Sequence, residues 1–176
     1  MDGPPVAVLP GVLKQAKMTS LVLDTFGPLI ATGRWRLILA GRVADRDVVA
    51  RAEAIGATVI ASPCHLRYEQ AVAAADLVLV LRLTSVGETN GPLLDAIGHH
   101  RAVLASSIGS IPETAGSAAR LITSSPLELN AALADLESEP TRRALELESA
   151  ARASALSWTA SAQAHAALFS QLALQR

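Results

Sequence analysis

The run Leu77–Leu81 (LVLVL) is apolar at every position. A strand with one wet face alternates apolar and polar residues. A strand without alternation is covered on both faces, the situation inside a parallel sheet. Parallel neighbours cannot be joined by a tight turn, so the chain must supply crossovers, usually helices. It does. Val6–Leu9 reads as a short buried strand ended by Pro10-Gly11, and a helix follows over Lys14–Ala31 with Val22, Phe26, Leu29 and Ile30 at one-face spacing. Arg36–Ala40 is the second strand, turned outward by Gly41. Asp45 opens a helix that runs to Ile55 and stops at Gly56. Thr58–Ala61 is a third strand, Ser62–His65 a loop, and Leu66–Ala75 the helix leading to Leu77. Two more strands are read at Ala102–Ala105 and Arg120–Ile122. The alternation predicts an α/β fold with a doubly wound parallel sheet.

From Pro126 the pattern becomes helical only. Leu129, Ala132, Leu133 and Leu136 follow the i, i+3, i+4, i+7 rule of a core stripe. Pro140-Thr141 starts a helix whose Arg142, Arg143, Glu146 and Glu148 read as a solvated charged face. Ser157 is placed to cap a last helix, Trp158–Leu174, with Ala162, Ala166, Phe169 and Ala173 on one face. No repeat, low-complexity tract or linker divides the 176 residues, so a single domain over 1–176 is expected.

Composition excludes several classes. Hydrophobic residues at 51% and charged ones at 18% describe a packed chain, not a disordered one. A formal net charge of -1 gives no basic face for nucleic acid. The single Cys64 cannot form an internal disulfide and fits a reducing compartment. Beside His65 it does not make a four-ligand metal site and reads as a half-buried loop thiol. The start lacks the basic and apolar segments of a signal peptide. The most apolar stretch, residues 70–83, is broken by Asp76 and Arg82 and falls short of a membrane span. A cytoplasmic protein is the expectation.

Chemistry concentrates between Leu79 and Glu113. After the strand come Arg82, Thr84 and Ser85, then Gly87-Glu88-Thr89-Asn90-Gly91, then Pro92 in the first turn of a helix carried on by Leu93, Leu94, Ala96 and Ile97. Ligands of open parallel sheets bind outside the carboxyl ends of the strands, where this loop lies. The turn after the first strand, Pro10–Lys14, lacks the glycine fingerprint of dinucleotide sites. The P-loop pattern is also missing, and Gly109-Ser110-Ile111 lacks the second glycine of a nucleophile elbow. Lys17 and the helix start at Asn90 and Gly91 favour an anion. Glu88 and Asp95 flank that helix start, and carboxylates suit vicinal hydroxyls because each accepts several donors. Cationic for diphosphate and acidic for sugar rings, the set describes a nucleotide-sugar site. Plain structural readings stand beside this one. Lys17 is then a solvated helix lysine, Asp95 a helix-surface residue, Arg82 the partner of Glu88 or Asp76, and Glu113 a turn cap. His99 and His100 close a helix, where imidazole meets the C-terminal dipole.

In order, these residues resemble the C-terminal, donor-binding half of GT-B glycosyltransferases, specifically the large retaining family 4. GETNGPLLDAIGHHRAVLASSIGSIPE is similar to that family's E-G-F-G-L-P loop, helix with a second acidic residue, G-x-P-V-V-A-S strand and G-x-x-E turn. RLTSVGETNG is closer still to a bacterial branch reading R-x-P-T-x-G-E-T-S-G. PGVLKQAK resembles the family's G-R-L-x-x-x-K-G start, and SWTASAQAHAALFSQL its last helix. The resemblance implies a Rossmann-like half of a GT-B fold and a nucleoside-diphosphate sugar as substrate, UDP- or GDP-linked, with no metal or other cofactor. It implies that Lys17 holds the diphosphate, that Glu88 contacts the transferred sugar as the catalytic acidic residue, and that Asp95 binds the ribose. The backbone of Asn90 and Gly91 would face the sugar and phosphates, with Arg82 and Thr89 in the same donor-binding loop.

The departures are specific. Val12 stands where the family has a basic residue, the acidic pair is one residue closer, its second member is Asp, and Gly98–Arg101 replaces G-x-P. A GT-B enzyme has a second, acceptor-binding domain that this chain lacks. A half-enzyme, a fragment, and a module working with an acceptor-domain partner or as a homodimer are all consistent with that. The expected function is donor binding for retaining glycosyl transfer. The alternatives are a degenerate, non-catalytic module for assembly or regulation, and an unrelated binder of a small phosphorylated ligand.

Overall fold

A computed structural model describes residues 3–14, 18–123 and 125–173. Six strands, β1 (Val6–Pro10), β2 (Arg36–Gly41), β3 (Thr58–Ala61), β4 (Leu77–Val80), β5 (Val103–Ser106) and β6 (Ala119–Ile122), form one parallel sheet in the order β3-β2-β1-β4-β5-β6. The register sets Val8 beside both Ile38 and Val78. The expected doubly wound α/β sheet is what the chain forms, strand for strand.

The unalternating strands are explained by the two cores. Successive side chains of a strand point to opposite faces. Ala7, Leu9, Leu37, Leu39, Leu77 and Leu79 enter one core, while Val8, Ala40, Val78 and Val80 enter the other. Helices α1 (Thr19–Ala31), α2 (Arg46–Ala54) and α6 (Pro126–Leu136) cover the first face through Val22, Phe26, Val48, Leu129 and Leu133. Helices α3 (His65–Ala73), α4 (Gly91–Gly98) and the short α5 (Ile111–Ala115) cover the second through Val72, Leu93, Ile97 and Ile111. Both faces are dry, so both need apolar residues.

Caps fall where the sequence places them. Asp45 Oδ1 accepts from the Asp47 N–H at 2.9 Å to start α2, and Ser157 Oγ accepts from Ala160 at 3.2 Å to start α8 (Trp158–Ala173). Three local expectations need correction. The first helix begins at Thr19, not Lys14, because Leu13 still bridges to Val43 as an extension of the sheet and Met18 takes a left-handed conformation before the helix. Arg142, on α7 (Glu139–Ala155), is buried and not on a solvated face. Its guanidinium lies 5.8 Å from the Trp35 ring centroid and donates to the carbonyls of Leu136 and Glu137, closing the end of α6. Cys64 is exposed, not half-buried, and precedes the first residue of α3. None of the described residues of α8 is buried, and Leu168, Phe169 and Leu172 are exposed.

Candidate functional site

Strands β1 and β4 are neighbours, but their following helices leave to opposite faces, α1 to one and α4 to the other. The connections diverge, and a crevice opens at the carboxyl ends between them. It is lined by Leu9 and Pro10 from β1, Leu81 and Arg82 after β4, and Asn90 and Pro92 at the start of α4. Next to it, at the ends of β1 to β3, lies a cavity of about 390 Å³ whose lining includes Gly11, Val12, Gly41, Arg42, His65 and Tyr68. Its floor is backbone. Gly11 donates to the Ala40 carbonyl at 2.9 Å, and a Cβ on Gly41 would lie 1.6 Å from the Gly11 oxygen, so no side chain fits there.

The loop between β4 and α4 is tied at both ends. The Arg82 N–H donates to Ser106 Oγ on β5 at 2.8 Å, and Ser110 Oγ donates to the Glu88 carbonyl at 2.8 Å. Ser85 packs on Gly109, which has φ +57 and whose Cβ would sit 2.2 Å from Ser85 Oγ. Within the loop both oxygens of the Glu88 carboxylate have partners. One oxygen pairs with the Arg82 guanidinium, and the other accepts from Ser85 Oγ at 3.1 Å and from the Val86 N–H at 2.8 Å. The expected pairing of Arg82 is therefore with Glu88, not Asp76, which instead accepts from the Val6 N–H.

Asn90 is 2% exposed and caps α4, its Oδ1 accepting from the Leu93 N–H at 3.1 Å while its carbonyl accepts from Leu94. Pro92 has no N–H. The N–H of Gly91 is thus left at the helix start without a protein acceptor among the described residues. That is the anion-favouring end of the α4 dipole. Thr89 is exposed beside it.

Asp95, in the second turn of α4, faces α3. The Tyr68 hydroxyl donates to Asp95 Oδ2 at 2.8 Å, and no other donor to this carboxylate is found among the described residues. Burial, then the bond to Asp95, then the negative charges of Asp95 and Glu69 push the Tyr68 phenol above the usual tyrosine range. It stays protonated and can only be a donor to Asp95. His99, the residue after α4, pairs through Nε2 with Glu69 on α3, and His65 Nδ1 lies 3.8 Å from the other Glu69 oxygen.

The structure thus groups Arg82, Glu88, Asn90 and Gly91 around one loop and joins Asp95 to a different cluster. Lys17 lies outside the described residues. Among the described residues no group of three or more His, Cys, Asp or Glu side chains is placed to hold a metal, and no helix is long and apolar enough to cross a membrane. Tyr68 and Arg42 were not legible as site residues in the sequence. Their place depends on how β2 ends and how α3 packs on α4, which leaves no local signal.

No family model matches the sequence, and no curated protein matches it. Solved structures do. The lipopolysaccharide-biosynthesis glycosyltransferase WaaG superposes with TM-score 0.71 at 21% identity, over 88% of this chain and 44% of that one. Sucrose-phosphate synthase from Thermosynechococcus elongatus gives TM-score 0.74 at 18% identity, over 99% of this chain and 47% of that one. The C-terminal domain of a group 1 glycosyltransferase (LpcC) from Francisella tularensis gives TM-score 0.70 at 18% identity, over 88% of this chain and 86% of that domain.

The chain has the fold of a GT-B half. It spans about half the length of WaaG and of the sucrose-phosphate synthase, and 86% of the isolated C-terminal domain. That is the Rossmann-like architecture implied by the sequence resemblance.

Proposed function

We propose that this chain is the donor-binding half of a retaining glycosyltransferase that uses a UDP- or GDP-linked sugar. The observation that carries the proposal is the convergence of an open helix start and an arginine–carboxylate loop on the β1/β4 switch point, with a cavity beside them at the ends of β1 to β3. A solved structure of the same fold, Anabaena HepE, contains UDP and glucose, and it matches at TM-score 0.72 and 17% identity over 86% of this chain and 44% of that one.

In this reading the diphosphate sits at the start of α4. The Gly91 N–H, the helix dipole, Arg82 and Lys17 stabilise the charge that builds as the bond from the sugar to the diphosphate breaks. This positive charge comes from the chain itself, and no metal is needed. A phosphate drawing Arg82 toward it frees one oxygen of Glu88 for a hydroxyl of the transferred sugar. Asp95 takes the ribose hydroxyls, and Thr89 borders the sugar. The new bond forms to an acceptor oxygen held by a second, acceptor-binding domain or partner chain. The exposed Leu168, Phe169 and Leu172 of α8 support such a partner, since exposed apolar patches mark contact surfaces.

The test is a thermal-shift titration with UDP, GDP, ADP and the UDP- and GDP-sugars. A ligand at about 100 times its dissociation constant stabilises by about 2.7 kcal/mol, which moves a domain of this size by a few degrees. The expected result is a shift with one base, lost in Glu88→Ala and Asp95→Ala proteins that remain folded. No shift with any of these at millimolar concentration overturns the donor-site reading.

A further inference from the structure

We infer that Tyr68, which lines the cavity beside the crevice, is the positioning residue that sets ribose selectivity, by holding the Asp95 carboxylate in a set orientation for a nucleotide bound beside it. The inference rests on the donor-site reading and adds to it a residue that the resemblance to the glycosyltransferase family does not supply.

Three observations carry it. First, Tyr68 is shared: its side chain lines the cavity at the ends of β1 to β3, and its hydroxyl reaches Asp95 Oδ2 on α4 at 2.8 Å. It thereby joins that cavity to the helix whose start borders the crevice. Second, the bond leaves capacity. An ionised carboxylate offers about four lone-pair positions. Tyr68 takes one on Oδ2, and Oδ1 has no protein donor among the described residues. A pair of vicinal hydroxyls can use the rest. Third, the direction of the bond is fixed. Burial and the neighbouring negative charges keep the phenol protonated at neutral pH, so Tyr68 donates to Asp95.

The physical effect is preorganisation. A free aspartate must be ordered when a ligand binds, and that ordering is subtracted from the affinity. An aspartate already held through one oxygen presents the other in a set place, and a functional carboxylate needs such a supporting contact to stay in geometry. The neighbouring pair of Glu69 with His99 fastens α3 to α4 on the same seam, which keeps Tyr68 and Asp95 in register.

The experiment measures binding of UDP, 2′-deoxy-UDP, GDP and 2′-deoxy-GDP by calorimetry to the native chain, Tyr68→Phe and Asp95→Asn. Thermal melting without ligand checks that each variant is folded. Hydrogen bonds to a charged acceptor justify an expected preference of about tenfold for the ribo over the deoxy form in the native chain. In Tyr68→Phe the preference should fall to within about threefold, and in Asp95→Asn it should fall likewise. Phenylalanine keeps the ring and removes only the hydroxyl, so the packing of α3 is retained. If Tyr68→Phe weakens ribo and deoxy forms by the same factor, Tyr68 is only a tether between α3 and α4 and the inference fails while the donor site stands. An unchanged ribo/deoxy ratio in Tyr68→Phe overturns it too. If the folded native chain binds none of the four nucleotides, the donor-site reading fails and takes this inference with it.

Discussion

Arg82 and Glu88 close the β4–α4 loop on itself: the guanidinium pairs with one carboxylate oxygen while the Val86 N–H and Ser85 hydroxyl occupy the other. The two side chains are partly exposed, at 22% and 37%. An ion pair in that setting contributes about 0–1 kcal/mol and weakens with salt. The carboxylate does more than the pair, because it also satisfies a backbone N–H. Arg82→Met should therefore lower the unfolding free energy by no more than about 1 kcal/mol. Glu88→Ala should cost more, about 1–2 kcal/mol. Urea denaturation of the two variants checks the order. Equal losses would mean that the contacts to Val86 and Ser85 carry no stability.

Much of the fold was readable because its cause is local. The runs around Val8, Leu39, Val78 and Leu104 lack alternation, and the two cores use both of their faces. Asp45, Asn90 and Ser157 were readable for the same reason, since a cap acts within three residues of itself. The buried role of Arg142 was not readable. A charged run on a helix looks solvated until tertiary packing sets Trp35 beneath it. The site divides in the same way. The loop carrying Glu88 follows from its position after a buried strand, whereas the partner of Asp95 comes from another helix, 27 residues earlier.

Gly41 is held by contact, not by its backbone angles. A Cβ there would meet the Gly11 carbonyl at 1.6 Å, and a backbone atom cannot swing aside as a side chain can. Gly41→Ala must push the ends of β1 and β2 apart. Overpacking of this kind costs about 1–3 kcal/mol, occasionally more. It should also reshape the cavity floor that Gly11 and Gly41 share, so nucleotide binding should fall beyond what the lower stability explains. Melting temperature and calorimetric binding on the same sample separate the two effects. A variant with native stability would contradict the close approach.

Helix α8 should be separable from the stability of the domain. None of its described residues is buried, and Trp158 is 92% exposed. Replacing Leu168, Phe169 and Leu172 together with Ser removes apolar surface without opening a cavity. Surface changes of this kind stay within about 0.5 kcal/mol each. The unfolding midpoint in urea should change little, while self-association in sedimentation experiments should fall if that face is sticky on its own. A large loss of stability would show that α8 packs on the domain.

The Tyr68 hydroxyl should make the fold sensitive to alkali. A tyrosine in an unfolded chain ionises near about pH 10, and in the fold burial and the Asp95 carboxylate raise that value. Above about pH 10 the unfolded chain has therefore released a proton that the folded chain still holds, which favours unfolding as pH rises. The contribution of Tyr68 is fully present below about pH 10 and is lost as pH climbs through the folded value. One group supplies a slope of up to about 1.4 kcal/mol per pH unit in that window. Native protein should lose stability more steeply than Tyr68→Phe, in which other alkaline titrations persist and this one does not. The chain holds one tyrosine, so tyrosinate absorbance reports this group without overlap from another phenol. In the native chain the absorbance should rise only as the protein unfolds. In Asp95→Asn, with the charge removed and the fold kept, it should rise at lower pH. An absorbance midpoint near about pH 10 in folded native protein would mean that the phenol is not held by Asp95 in solution.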